Sequence, residues 1–137
     1  MAGYSGTPLP NKLGIKPATR FATKHAPADF AGTLGELPPE VEWRKQVRPH
    51  LDVVVGFYTS RARMVAEWPQ LTAAVAPNGT VWLAWPKRAS GVPTDITEDA
   101  LRDDFLPTGW VDNKVCAIDD TWSGLRFALR RELRRQK

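Results

Sequence analysis

The chain has 137 residues and a formal net charge of +4; 42% of its residues are hydrophobic and 25% are charged. This length and composition are typical of one globular domain, which buries about two thirds of its unfolded surface, and they exclude a chain that is disordered throughout. The single cysteine excludes an internal disulfide, no apolar stretch is long enough to cross a membrane, and the N-terminus lacks a secretory signal, so we expect a cytoplasmic protein.

The positive charge is concentrated at the C-terminus. Residues 126–137 contain six basic residues and one acidic residue, so the remainder of the chain is close to neutral. Without a DNA-reading helix motif or interleaved aromatic residues, such an end supports only weak, salt-sensitive contact with phosphates. We interpret residues 133–137 as a solvated basic tail, with non-specific nucleic-acid binding as an alternative function.

The first half of the chain predicts three strands and one helix. A strand is expected to begin near Arg20, because the proline three residues earlier disfavours helix before it. Asp29 can cap a helix whose apolar residues repeat at helical spacing, namely Phe30, Leu34 and Leu37. A short strand is predicted at 41–43, and the β-branched run at 51–58 indicates a strand buried on both faces.

The second half predicts two helices and a terminal hairpin. Ser60 can cap the first helix, but Pro69 is expected to kink or split it. After a Pro-Asn-Gly turn, a strand follows at 80–85, and a capping pair at 95–98 precedes the second helix. Strands near 114–119 and 123–131 then form the hairpin, and one of its faces is buried by alternating apolar residues, namely Leu125, Phe127 and Leu129.

This order of elements predicts the fold class. Strands that alternate with helices before a hairpin indicate a three-layer α/β sheet that is mostly parallel, with an antiparallel edge strand. We assign this single domain to residues 17–132. The preceding segment, residues 1–16, is expected to pack across the rim near the carboxyl ends of the strands, through Tyr4 and three apolar residues, namely Leu9, Leu13 and Ile15. A mobile tail, or one that binds a partner chain, is the alternative.

Three phrases resemble class I methyltransferases in their order along the chain: LGIKPATRF before the first strand-helix turn, LDVVV as the fourth strand and VAPNGTVWLAWP as the turn into the fifth. The resemblance implies a Rossmann-like fold. One corner departs from it, because only eight residues separate Trp43 from Asp52, where a methyltransferase places a helix and a third strand. Parallel neighbours normally need about a dozen connecting residues or more. Either the second strand is very short or this corner is antiparallel.

The turn after the first strand, residues 24–29, reads KHAPAD and contains no glycine. A dinucleotide or S-adenosylmethionine site uses glycines there so that backbone amides can approach the ligand, and it uses an acidic residue after the second strand to hold ribose hydroxyls. The second strand instead ends in Trp43-Arg44-Lys45. Because both requirements fail, we expect no cofactor. The alternative is an S-adenosylmethionine-dependent methyltransferase with an atypical loop.

Ligands of open α/β sheets bind beyond the carboxyl ends of the strands. The loop at 87–91 combines two cations with a hydroxyl and a flexible amide, which suits a small anion, and an ordinary connecting loop is the alternative. Polar residues after the other strands, and one tryptophan at a strand end, complete the predicted site. The candidate ligand-binding residues are Lys87, Arg88, Ser90, Gly91, His25, Thr59, Ser60, Trp85 and Lys114.

No catalytic set accompanies these residues. His25 and His50 with one cysteine do not form a metal-binding pattern, so no metal is expected. Cys116 lies in an apolar strand with nothing adjacent to activate it, and we expect an inert core thiol.

Six motifs also resemble the bacterial domain-of-unknown-function family 3052: GYSGTPL at 3–9, KLGIK at 12–16, WPKRASG at 85–91, TDITED at 94–99, VDNKVCAID at 111–119 and WSGLRF at 122–127. The resemblance implies a bacterial protein but brings no activity or catalytic residues with it. We therefore predict a non-catalytic or regulatory module that binds a partner protein or a small anionic ligand.

Overall fold

The computed structural model describes residues 7–136, so the predictions for Tyr4 and the rest of residues 1–6 lie outside the described range. The strands are β1 Arg20–Lys24, β2 Glu42–Arg44, β3 Leu51–Phe57, β4 Val75–Pro86, β5 Trp110–Ala117 and β6 Trp122–Leu129. The α-helices are α1 Leu9–Leu13, α2 Phe30–Leu34, α3 Arg61–Ala74 and α4 Glu98–Phe105. Short 3-10 helices span Arg88–Ser90, Leu106–Thr108 and Arg131–Gln136.

The six strands form one sheet in the order β2-β1-β3-β4-β6-β5. The first four strands of this order are parallel, and β6 runs antiparallel to both β4 and β5. The terminal hairpin therefore supplies the antiparallel part of a mostly parallel sheet, and the predicted mixed α/β fold is confirmed. No helix within residues 7–136 is both long and apolar enough to cross a membrane.

The short second strand resolves the corner that the sequence left open. β2 has three residues and pairs with β1 in the parallel direction. β2 and β3 lie on opposite sides of β1, so residues 45–50 must cross one strand and return to the start of β3. That path covers roughly 10 Å across the sheet and roughly 10 Å along it. The connection reaches about 20 Å when extended, so no helix is needed.

The core consists of one apolar cluster on each face of the sheet. The cluster beneath α3 and α4 includes Val54, Leu83 and Phe127, while the cluster beneath α1 and α2 includes Val55 and Trp82. Side chains of β3 and β4 contribute to both clusters, because successive residues of a strand point to opposite faces. The prediction that the run at 51–58 is buried on both faces is confirmed.

α1 is attached to the sheet by burial and by one buried hydrogen bond. Leu9, Leu13 and Ile15 are all buried. Trp82 Nε1 donates to the carbonyl oxygen of Leu13 over 3.0 Å. Residues 9–15 therefore cover one face of β4.

Several local predictions are wrong, each for a physical reason. α3 is not split at Pro69, because the carbonyl of Val65 that loses its helical hydrogen bond belongs to a residue 44% exposed, where water can bond to it. The cap of α4 is Thr97, whose side chain accepts from the Ala100 amide, while Asp95 accepts from the backbone of Arg61 instead.

The predicted turn at 77–79 is a bulge inside β4. The register with β3 shifts there, since Leu51 pairs with Val75 and Val53 with Thr80. Gly79 is required at this point because a Cβ would lie 2.9 Å from the Cβ of Val75 and 3.0 Å from the carbonyl oxygen of Asp52.

Replacing Trp82 with phenylalanine tests the attachment of α1. Trp82→Phe leaves the buried Leu13 carbonyl without its donor, so the free energy of unfolding should fall by about 1 to 3 kcal/mol in urea denaturation. Trp122→Phe, at the half-buried start of β6, is the matched control and should cost less. Trypsin should also cleave the Trp82→Phe variant faster after Lys12, which lies within α1. Equal stability of the two variants would contradict this role of Trp82.

Candidate functional site

Tyr58, Glu67 and His25 form a cluster above the carboxyl ends of β1 and β3. Tyr58 Oη donates to Glu67 Oε1 over 2.8 Å, and His25 Nε2 lies 2.9 Å from the same oxygen. Arg63 Nε donates to Glu67 Oε2 over 3.2 Å. The rings of His25 and Tyr58 meet edge to face with centroids 5.4 Å apart. Three side chains thus converge on one carboxylate.

Local backbone features position the members of this cluster. Gly56 leaves room for the ring of Tyr58, since a Cβ there would lie 2.8 Å from Tyr58 Cε2. Ser60 caps α3 by accepting from the Arg63 amide, which aims the first turns of the helix at the sheet edge. His25 adopts φ +59°, the left-handed region that a glycine usually occupies in such turns.

The cluster keeps Glu67 charged and Tyr58 neutral. Burial acts to raise the pKa of Glu67, but hydrogen bonds from Tyr58, His25 and Arg63 together lower that pKa below its usual value. Burial, followed by the hydrogen bond to Glu67, raises the pKa of Tyr58 above its usual range. Neither group titrates near neutral pH, so this arrangement suits a structural tie better than acid-base catalysis.

The predicted anion loop satisfies many of its own hydrogen-bonding groups. Ser90 Oγ donates to the Lys87 carbonyl over 2.6 Å and accepts from the Val92 amide, and the Gly91 amide donates to the Arg88 carbonyl. The Ser90 proton and the Gly91 amide are therefore committed within the loop. The groups of this loop that can still bind an anion are the side chains of Lys87 and Arg88. Lys87 is half-buried and Arg88 is exposed.

The other predicted residues divide between the sheet edge and elsewhere. His25, Thr59 and Ser60 lie together at the edge, where the Thr59 carbonyl accepts from Thr94 Oγ1 over 2.7 Å. Trp85 is only 8% exposed and packs in the core beneath α3 and α4. It is therefore a core residue and does not line a pocket at the strand end, as we expected.

Lys114 does not lie at the predicted rim. It pairs with Arg126, which in turn pairs with Trp82 in the middle of β4. Lys114 is thus level with Trp82, and β4 continues for four more residues to its carboxyl end at Pro86. A bulge between Asp112 and Lys114 shifts this register, and the sequence carries no clear signal for it.

Sequence reasoning missed a basic hollow directly after β2. Arg44, Lys45 and Arg48 line a concavity of about 440 Å³ together with Gln46 and Pro49. Among these basic side chains, Arg44 is paired with a carboxylate: its Nη2 lies 3.7 Å from Glu42 Oε1. The signal was available as three basic residues in the five-residue run RKQVR, but we interpreted it only as the loss of an acid.

A larger groove, of about 910 Å³, lies on the α1 and α2 side of the sheet. It is lined by residues 7–12 of the α1 region, by the end of α2 with the loop that follows, residues 32–39, and by the turn between β5 and β6. No cluster of side chains suited to a metal ion occurs within the described residues. Burial raises the pKa of the Cys116 thiol, which agrees with the expectation of an unreactive cysteine.

Solved structures that share this fold include methyltransferases. The chain superposes on the magnesium protoporphyrin IX methyltransferase ChlM from Synechocystis PCC 6803 with bound SAM at a TM-score of 0.60 and 9% identity, covering 88% of this chain and 74% of that one. The DhpI–SAH complex superposes at a TM-score of 0.58 and 14% identity, covering 90% of this chain and 83% of that one. A protein from Sulfolobus solfataricus that is described as a type 11 methyltransferase superposes at a TM-score of 0.57 and 11% identity, covering 89% of each chain.

These likenesses show a methyltransferase-type Rossmann-like fold, and at such identities they show the fold alone. No protein-family model and no curated protein matches the sequence, so the resemblance to family 3052 is not supported. The residues here do not fit S-adenosylmethionine in the usual way. His25 and Pro27 occupy the turn where glycines expose amides. Arg44 ends β2 and Lys45 follows it, at the position where an acid holds the ribose.

Glu67→Gln tests the cluster at the sheet edge. At pH 7 the free energy of unfolding should fall by about 1 to 3 kcal/mol, because hydrogen bonds to a charged carboxylate are the stronger ones. A pKa that is lower in the folded state stabilises the protein above the unfolded value near 4.5, and this contribution is lost as the pH falls below it.

The difference between the wild type and Glu67→Gln should therefore shrink between pH 7 and about pH 3 in urea denaturation. Glu36→Gln, an exposed carboxylate outside the cluster, is the control and should change stability little at either pH. A loss for Glu67→Gln that is the same at both pH values would contradict the charged cluster.

Proposed function

We propose that this protein is a non-catalytic binding module for a small, phosphate-bearing anion, built on a methyltransferase-type fold. The observation that carries the proposal is the reversal of charge after β2, where Arg44, Lys45 and Arg48 surround a hollow of about 440 Å³. The usual ligand of this fold places uncharged ribose hydroxyls at that position and is held there by an acid. A cluster of cations favours phosphate instead.

The first strand-helix turn supports the same conclusion. Pro27 has no amide hydrogen, its carbonyl accepts from Phe30, and His25 is directed to Glu67. The turn therefore offers few free backbone donors to a cofactor. The sulfonium of S-adenosylmethionine is also cationic, so the basic residues after β2 do not attract it.

The hollow is suited to recognition rather than to reaction. Arginine presents a planar fork that matches phosphate oxygens in a bidentate manner, and two arginines flank this site. Glu42 offsets only part of the positive charge. No cysteine, serine, threonine, histidine or carboxylate lines the hollow, whose two other lining residues are Gln46 and Pro49.

Three other functions are supported less well. The fold neighbours bound to SAM and SAH favour an S-adenosylmethionine-dependent methyltransferase with an atypical loop. Exposed side chains at Lys87 and Arg88 favour partner-protein or anion binding at that loop. The basic C-terminus favours weak nucleic-acid binding, although Leu133 packs on the core and Arg134 Nε donates to the Leu129 carbonyl.

Inorganic pyrophosphate is the probe for the proposed site. It should raise the melting temperature of the wild type, and calorimetric titration should give an affinity that falls with added salt. Replacing Arg44, Lys45 and Arg48 together with alanine should weaken binding by about tenfold or more, since each charge-assisted hydrogen bond contributes about 1.5 to 3 kcal/mol.

Lys87→Ala with Arg88→Ala is the matched control, because it removes two cations from the other candidate loop. It should leave pyrophosphate binding unchanged. If the control rather than the triple variant abolishes binding, the loop at 87–91 is the anion site. If the wild type binds S-adenosylmethionine at low micromolar concentration and ignores pyrophosphate, the methyltransferase alternative is correct.

A further inference from the structure

β5 forms the longer of the two open edges of the sheet. It is the last strand in the sheet order and pairs with β6 along one side, while the opposite edge belongs to the three-residue β2. Among the described residues, 7–136, the outward-facing backbone groups of β5 bond to no other part of the chain. Such a row of free amides and carbonyls can pair with a further strand. The edge of β5 is thus able to bind an extended chain.

Residues 114–117 form the regular part of this edge. They pair one to one with β6, whereas a bulge interrupts the register between Asp112 and Lys114. Lys114 is exposed, and Val115 is 50% exposed beside the buried Leu125 of β6. Successive residues of a strand point to opposite faces, so these two side chains leave the sheet on opposite sides. A strand added here therefore meets a cation on one face and an apolar side chain on the other.

The cation of this edge lacks a negative partner. Lys114 lies directly opposite Arg126 of β6, and like charges in this position destabilise a strand pair. In the part of the chain that the structure describes, neither side chain forms an ion pair with a carboxylate. Arg126 Nε donates instead to the neutral Asn113 Oδ1 over 2.7 Å. An acidic residue opposite Lys114 on an added strand, with the two Cβ atoms about 5 Å apart, would supply the missing charge.

A second copy of β5 does not supply this charge. The only carboxylate of β5 is that of Asp112, whose Oδ2 accepts from Arg102 Nε over 3.0 Å. Two β5 edges would also bring two Lys114 side chains, both positive, to one interface. A lysine and a bulge on an edge strand discourage pairing between identical strands. The same lysine attracts an acidic strand, so the edge discriminates between the two kinds of partner.

We propose that residues 114–117 bind an extended acidic segment of a partner protein, which adds a strand to the sheet at β5. Acidic and apolar residues alternate in the segment that fits, so that an acidic residue faces Lys114 and a β-branched residue covers Val115. Main-chain hydrogen bonds supply the affinity, and the two side chains supply the selectivity. β5 and β2 lie at opposite ends of the sheet order, so this inference does not depend on the function proposed for the basic hollow.

A blocked peptide in which valine and glutamate alternate is the probe. It should bind the wild type in calorimetric titration, and the matched peptide with lysine in place of glutamate should bind at least about tenfold more weakly. Proline in place of the central valine should also weaken binding, because it removes a main-chain donor. The glutamate peptide should slow amide hydrogen exchange in residues 114–117. The proposal is overturned if the glutamate peptide does not bind or if the lysine peptide binds as tightly.

Lys114→Glu tests the lysine and separates its role from a loss of folding. The variant should bind the glutamate peptide about tenfold more weakly than the wild type does. Its melting temperature should not fall, because glutamate opposite Arg126 replaces a like-charge pair with an attractive one. Lys16→Glu makes the same change of charge at an exposed position before β1, and this control should bind as the wild type does.

Two further measurements separate this proposal from the alternatives. The triple alanine variant at Arg44, Lys45 and Arg48 should bind the glutamate peptide as the wild type does, although it loses pyrophosphate, so the two proposals can fail independently. In the free protein, the outward-facing amides of residues 114–117 should exchange rapidly at every protein concentration. Equal peptide binding by Lys114→Glu, or a dimer of the wild type that already protects these amides, would overturn the proposal.

Discussion

Both faces of β3 and β4 are covered, and this double burial determines where every loop of the molecule emerges. Val55 and Trp82 pack beneath α1 and α2, while Val54 and Leu83 pack beneath α3 and α4. Because the two strands are parallel, their carboxyl ends open at the same edge of the sheet. That edge is where ligands bind in folds of this kind, so the chemistry of a few loop residues decides the function.

The chemistry of that edge is unlike that of a nucleoside site. The carboxylate of Glu67 is engaged by Tyr58, His25 and Arg63, so its charge is already compensated within the protein. The remaining charge near the ends of β2 and β4 is mostly positive. A fold shared with methyltransferases at 9 to 14% identity therefore coexists with loops suited to anions. Fold and ligand are separate properties here, because the sheet is set by its core and the ligand by side chains on loops.

Features determined by local pattern were predictable, and features determined by strand register were not. The β-branched run at 51–58 predicted the doubly buried β3, and alternation predicted the buried face of β6 at Leu125, Phe127 and Leu129. The level of Lys114 depends on a bulge, which a pattern of period two does not reveal. The basic hollow arises because β2 stops after three residues, so that the returning loop places Arg44 beside Arg48.

We propose that the carboxyl edge binds an anion after β2 and does not hold S-adenosylmethionine at the turn after β1. Amide proton-nitrogen correlation spectra, recorded with each ligand in turn, test this directly because they show which residues respond. We expect pyrophosphate to shift the amides of residues 44–48 and S-adenosylmethionine to leave the amides of residues 24–29 unchanged. Saturable shifts at residues 24–29 with S-adenosylmethionine, and none at 44–48 with pyrophosphate, would contradict it.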